Sequence, residues 1–340
     1  SLYVMMAENP SMPYANAAYN GFYSNPFPDK YNEHMVGPKS FNFNLVDIEL
    51  TDADKNSQAA VDVFLGAGVL DVAGLEKKIA KYAEDNRVAA KMVAKWFGRD
   101  PVNGSFNIDL ISERGFYDAS ALDAAVASTQ ARGTSALADA GEQLIGKTFL
   151  VVNKFTSIDN AVLPQAIAAK IVVEEAKKMK AEDALSIKIR EKAVQAAEKA
   201  YDKIASGYSM IAKPYLFQLL WNDSIANIFY NDLWVYDGME DSLRQAKMMA
   251  FDTTDLFRLN YVGTGKTTMA GPLYPGSKNG TEADIIAEGT VRSLNKAYNK
   301  LSKKYSAFAV KTPLLTGGKK PTAKIGMKEG LTGGETFNVF

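Results

Sequence analysis

The chain contains no cysteine and a single histidine, His34, among 340 residues. Thiolate nucleophiles, zinc–thiolate sites, Ser–His and Cys–His pairs and clustered imidazole ligands all require one of those residue types. What remains is carboxylate, lysine or tyrosine chemistry, or binding without chemistry. Excess charge is also missing, since 39 basic residues balance 39 acidic ones. No global field therefore draws the chain to nucleic acid or to an anionic membrane. No apolar run reaches the roughly 18 residues that span a bilayer. The start, Ser1-Leu2-Tyr3-Val4-Met5-Met6, has no initiator methionine and no charged n-region, which reads as a product whose targeting segment has been removed.

What is present divides by composition. Residues 1–40 are rich in Asn, Pro and aromatics, with Pro10, Pro13, Pro26 and Pro28 set among Tyr14, Tyr19, Phe22 and Tyr23. Proline at this density argues against a helix, so the segment is expected to be an aromatic arm. Tyr14, Tyr19, Phe22 and Tyr23 are its candidate partner-binding residues. Residues 41–310 form the expected body and 311–340 a small β segment. Phe41, Phe43 and Leu45 alternate as a strand, 74–97 has the stripe of one helix ending at Gly98, and Phe106, Ile108 and Leu110 alternate as a second strand. Ser120 to Leu144 is Ala-rich and helical in pattern, and Thr148 to Val152 is an apolar strand of the kind buried on both faces.

From Pro164 to Ala205 there is neither glycine nor an internal proline, and the apolar stripe loses phase near Asp183. That slip, with Asp183 as N-cap, predicts a helical hairpin within 164–206. Beyond Pro214 the pattern turns to strands at Tyr215–Trp221, Ile225–Tyr236 and Leu256–Val262, with helices near 241–250 and 283–305. The fold class expected is α+β: an N-terminal α/β layer, a helical hairpin insertion, a β-rich second half and a small terminal barrel-like segment. The final strand, Thr336 to Phe340, stops without a turn, which reads as a shortened chain.

Gly263-Thr264-Gly265-Lys266-Thr267-Thr268 resembles part of a phosphate-binding loop, but Asn260 stands where the first glycine belongs. Gly271-Pro272 also forbids the helix whose N-terminus would face a phosphate, so a turn between strands is expected. Asp52, Asp54 and Asn56 open like a calcium loop, yet Ser57 and Val63 occupy its glycine and glutamate positions. No metal or cofactor is expected. His34, inside the arm, is expected to be exposed or capping. Trp221, Asp223, Asp232 and Trp234 combine rings that stack on sugars with carboxylates that bind hydroxyls, and form the candidate ligand site. Glycan binding or hydrolysis there is the alternative to a non-catalytic role in association, either with itself or with another protein.

Three segments carry resemblances. Phe106-Asn107-Ile108 leading to Glu113-Arg114-Gly115 and Tyr117-Asp118 resembles the strand edge of curli-secretion-type envelope lipoproteins, and Gly326 to Val339 resembles the small barrel of flagellar-assembly envelope proteins. Ala138-Asp139-Ala140-Gly141-Glu142 and Lys311-Thr312-Pro313 are similar to an uncharacterised family of exported Bacteroidetes proteins. These resemblances imply a periplasmic or outer-envelope location and transfer no functional residue.

Overall fold

The computed structural model describes residues 1–28, 31–55, 72–111, 113, 142–265, 268–273, 281–309, 314–323 and 333. The run Leu2-Tyr3-Val4-Met5-Met6-Ala7 has apolar residues on both strand faces, as a strand covered on both sides must. It forms β1 (Leu2–Glu8), paired in parallel with β2 (Ser40–Asn42) on one side and with β3 (Phe149–Asp159) on the other. Antiparallel to β3 runs β4 (Tyr208–Leu219), whose far edge is shared by β5 (Leu259–Thr264) and β6 (Thr268–Leu273). The result is one mixed sheet of order β2-β1-β3-β4-β5, with β6 also on β4, in an α+β fold.

Side chains alternate between two cores, as the period-2 geometry of strands requires. Tyr3, Met5, Leu150, Val152, Tyr215 and Phe217 point to a layer containing α2 (Leu75–Asp85) and α3 (Val88–Trp96). Leu2, Met6, Phe149, Val151, Phe155 and Leu216 point to the opposite layer of α1 (Ala15–Ser24) and the long C-terminal helix Glu282–Lys304. Each such side chain contributes roughly 1.5–3 kcal/mol when fully buried. Gly21 lets α1 touch that last helix, since a Cβ there would lie 2.5 Å from the Ala287 carbonyl oxygen.

Several expectations are corrected. Residues 1–40 are not an arm, because β1 is inside the sheet and α1 fits between Pro13 and Pro26, where neither ring interrupts its hydrogen bonds. His34 is buried, its Nε2 lying 2.9 Å from the Met92 carbonyl oxygen. The helix over 74–97 is two helices, broken at Asn86 and at Arg87, whose φ is +52°. Phe106–Leu110 is not a strand, although the Phe106 N–H donates to the Val235 carbonyl. Of the strand expected over Ile225–Tyr236, the residues up to Leu233 are helical: the Asn222 side chain caps a short helix, α6 (Asp223–Ile228), which continues as one π turn, Phe229–Leu233.

β4 begins before Pro214, which sits inside it. The Pro214 carbonyl, on the side of β5 and β6, accepts from the Gly265 N–H and the Thr264 hydroxyl. A residue's N–H and C=O share a side in a strand, so the missing donor falls in the gap between β5 and β6. α7 (Asp241–Thr253) follows α6, and the last helix, now α8 (Glu282–Lys304), matches its expected span closely. β7 (Leu314–Thr316) and β8 (Thr322–Ala323) form a separate small ladder. The Ala-rich helix expected over 120–144 lies outside the described residues up to 141, and residues 142–144 are helical; the terminal barrel falls on 324–340, outside the described residues except Gly333.

Between β3 and β4 the chain makes its expected hairpin: α4 (Pro164–Lys178) and α5 (Ala184–Ala205). Pro164 starts α4, where its fixed φ suits the first turn. Asp183 caps α5, its carboxylate accepting from the Leu185 and Ser186 N–H groups.

Candidate functional site

The Trp221 and Trp234 rings form part of an aromatic core rather than the walls of a groove. Both are half-buried around fully buried Phe229, at centroid distances of 5.7 and 5.5 Å, and both meet Phe97, at 6.0 and 5.4 Å. Phe106 stacks on Trp234 at 5.2 Å, and Arg99 lies over Phe251 at 4.4 Å while pairing with Asp252 at 2.7 Å. Edge-to-face rings at these separations are the ordinary packing of a core. Asp223 and Asp232 are exposed, one in the first turn of α6 and the other in the π turn. Tyr230, between them in the fold, donates to Glu142 at 2.6 Å, and burial together with that bond pushes its phenol well above the usual range.

The four aromatic residues proposed to bind a partner are likewise engaged. Phe22 is only 5% exposed and packs on Phe155, so it cannot contact another molecule. Tyr19 stacks on Tyr23 at 4.1 Å, and Tyr23 shares a 3.1 Å hydrogen bond with Ser40. Tyr14 donates to Glu282, which raises its pKa, and meets the Tyr208 ring at 5.0 Å.

A surface cleft of about 440 Å³ lies elsewhere, where β2 and the turn after it face the C-terminal end of α2. Tyr82 and Phe41 stack on its wall at 4.2 Å. Its polar groups already serve the fold: Lys81 pairs with Asp85, Asn86 donates to the Tyr82 carbonyl, and Asn42 accepts from the Asn44 N–H. Asp54 receives Lys77 at 2.7 Å and two bonds from Thr51, which hold its carboxyl down at about 2. Among the described residues no three Asp, Glu or His side chains are placed to hold a metal ion. Lys266 and Thr267 lie outside the described residues, but β6 begins at Thr268, so no helix opens there to receive a phosphate.

The feature left over is the α4–α5 hairpin. The two helices pack on each other, and their covered positions are buried Ala166 and Val173 with half-buried Ala169 and Ala176 on α4, and half-buried Ala193, Ala197, Tyr201 and Ile204 on α5. No residue of α5 is fully buried. Seven of the seventeen large hydrophobic side chains exposed among the described residues lie here: Ile167, Ile171, Val172, Met179, Leu185, Ile187 and Ile189. Val172, Leu185 and Ile189 are 58%, 69% and 53% exposed.

The hairpin base is held firmly. Fully buried Asn160 donates to the Ser206 carbonyl at 2.8 Å and accepts from the Ser209 hydroxyl at 2.7 Å, while its N–H reaches the Gly207 carbonyl at 3.0 Å. At the far end, the bonds from Ser186 and Leu185 lower the pKa of Asp183. This arrangement can present a fixed apolar surface; it places no nucleophile, base or oxyanion donor together. Sequence phase located the hairpin, but could not show that its second apolar stripe is left uncovered.

No protein family, no curated protein and no solved structure was found to match this chain, so no residue acquires a role by comparison.

Proposed function

We propose that the protein acts by association, presenting the α4–α5 hairpin to a protein partner, without catalysis. The observation that carries this reading is the concentration of exposed large apolar side chains on that one element. Exposed apolar surface costs roughly 25 cal/mol per Å², and contiguous patches of it mark interaction sites. The rigid Asn160 base supports the same reading, because a docking element held in place loses less entropy on binding. Glycan binding at Trp221 and Trp234 has weaker support, since their rings pack on one another's neighbours and their carboxylates face solvent. The reading does not depend on an envelope location; among the described residues no helix is long and apolar enough to cross a membrane.

Lysine footprinting tests it. Lys188, Lys192, Lys199 and Lys203, all exposed on α5, are expected to react more slowly in the cells that make the protein than in the dilute purified chain. Exposed Lys170, on the other side of the hairpin, serves as the control. Equal reactivity of the α5 lysines in both settings overturns the reading.

A further inference from the structure

The two sides of the hairpin differ in chemistry. At 100° per residue, the covered positions of each helix fix the direction of every other side chain. One side collects Ala168, Val172 and Met179 with Leu185, Ile189, Ala196 and Ala200, all of them exposed. The opposite side collects Lys170, Glu174 and Lys177 with Glu191, Glu198 and Asp202, together with exposed Ile187, and the 3.3 Å Lys177–Glu198 ion pair crosses it. The hairpin therefore has one apolar face and one charged face.

We infer that the apolar face is covered by the same face of a second copy of this chain, closing a four-helix bundle. This inference rests on the association reading above and names its partner. Charge supports it. The α5 rim of the face is a row of Lys188, Lys192, Lys199 and Lys203, while the α4 rim carries Ile171 and Glu175. Rotating one hairpin onto the other about an axis parallel to the helices lays α4 of each copy over α5 of the other. The Lys177–Glu198 contact sets the relative height of the two helices, so Glu175 of one copy comes level with Lys199 of the other. The reversed packing would set lysine row against lysine row. Because the chain has no net charge, two copies do not repel.

Size fits a weak dimer. With α4, about 22 Å long, over the longer α5 in both pairs and a width of about 10 Å, the overlapping faces cover about 900 Å² over both copies, in the range of transient contacts. Ala196 and Ala200 keep the base of the face flat enough for close helix approach. A lipid surface fits less well. Helices that lie in a membrane interface present Trp, Phe or Leu; Leu185 is exposed here, but the hairpin's one aromatic, Tyr201, is half-buried and no Trp or Phe anchors the face.

Sedimentation equilibrium of the full chain over about 1–100 µM, a span in which weak dimers become visible, should rise from 37.0 kDa towards twice that mass. Leu185→Glu with Ile189→Glu should weaken the dimer about 100-fold with an unchanged Tm, because both side chains are exposed. Glu175→Lys should weaken it about tenfold, and adding Lys199→Glu should restore it. A monomer throughout, a dimer indifferent to the double glutamate variant, or no restoration by the charge exchange overturns the inference. So does a monomer that binds phosphatidylserine–phosphatidylcholine vesicles through Leu185 and Ile189. A monomer whose α5 lysines are still protected in cells overturns only the second copy and leaves the association reading standing; unprotected lysines remove both.

Discussion

Asn160 shows how much one side chain can decide in this fold. It is a small amide at the point where β3 ends and the insertion begins, and its bonds reach Ser206, Gly207 and Ser209, where β4 starts. Asn160→Ala removes both side-chain bonds and leaves the Ser209 hydroxyl and the Ser206 carbonyl without those partners. The expected loss is about 1–3 kcal/mol, read by denaturant unfolding, together with a looser hairpin seen as faster amide exchange at residues 205–209. Asp183 acts at the other end. Its pKa is lowered by bonds from Ser186 and Leu185, so the folded state holds the charged form better than the unfolded state does. Its contribution is complete above the unfolded value near 4 and is lost as pH falls through the lowered folded value. Carbon chemical shifts of residues 184–187 should move towards coil values on acidification from about pH 5 to pH 2. In Asp183→Asn they should lose that pH dependence.

At the scale of elements, the hairpin is an addition to the body. α5 buries no residue completely, and of the α4 side chains described only Ala166 and Val173 are buried. Replacing residues 161–205 by a short Asn-Gly turn should therefore leave β3 and β4 paired. The Tm is expected to stay within about 4 °C, the change produced by roughly 1 kcal/mol in a domain of this size. A collapse of the body would show that the hairpin covers more of the core than its exposure indicates.

The elements also show what could be read in advance. The hairpin and its Asp183 cap were legible because helical phase and capping are local properties. So was α8, with its continuous amphipathic stripe. β1 was not, because prolines that end neighbouring elements resemble prolines that forbid them, and α1 occupies the gap between two of them. Phe229, Tyr230 and Trp234 suggested a strand because aromatics favour strands, yet Asn222 starts a helix and the rings meet Phe97 and Phe106 from elsewhere in the chain. The candidate site was legible as a helix pair and illegible as a surface. Whether Leu185 and Ile189 are core or exposed depends on contacts across the fold.

Taken whole, the molecule is a mixed sheet covered on both faces, with seven of the seventeen exposed large apolar side chains of the described residues raised on one insertion. A covered sheet of this kind needs no partner to be stable, which frees the hairpin for another task. The central claim is that this task is contact with protein through the apolar face, and covalent capture tests it most directly. A benzophenone amino acid at position 185 should, on irradiation in the producing cells, give a discrete adduct to protein, while the same residue at position 202 on the charged face should give none. No protein adduct from position 185, or equal adducts from both positions, would contradict the account.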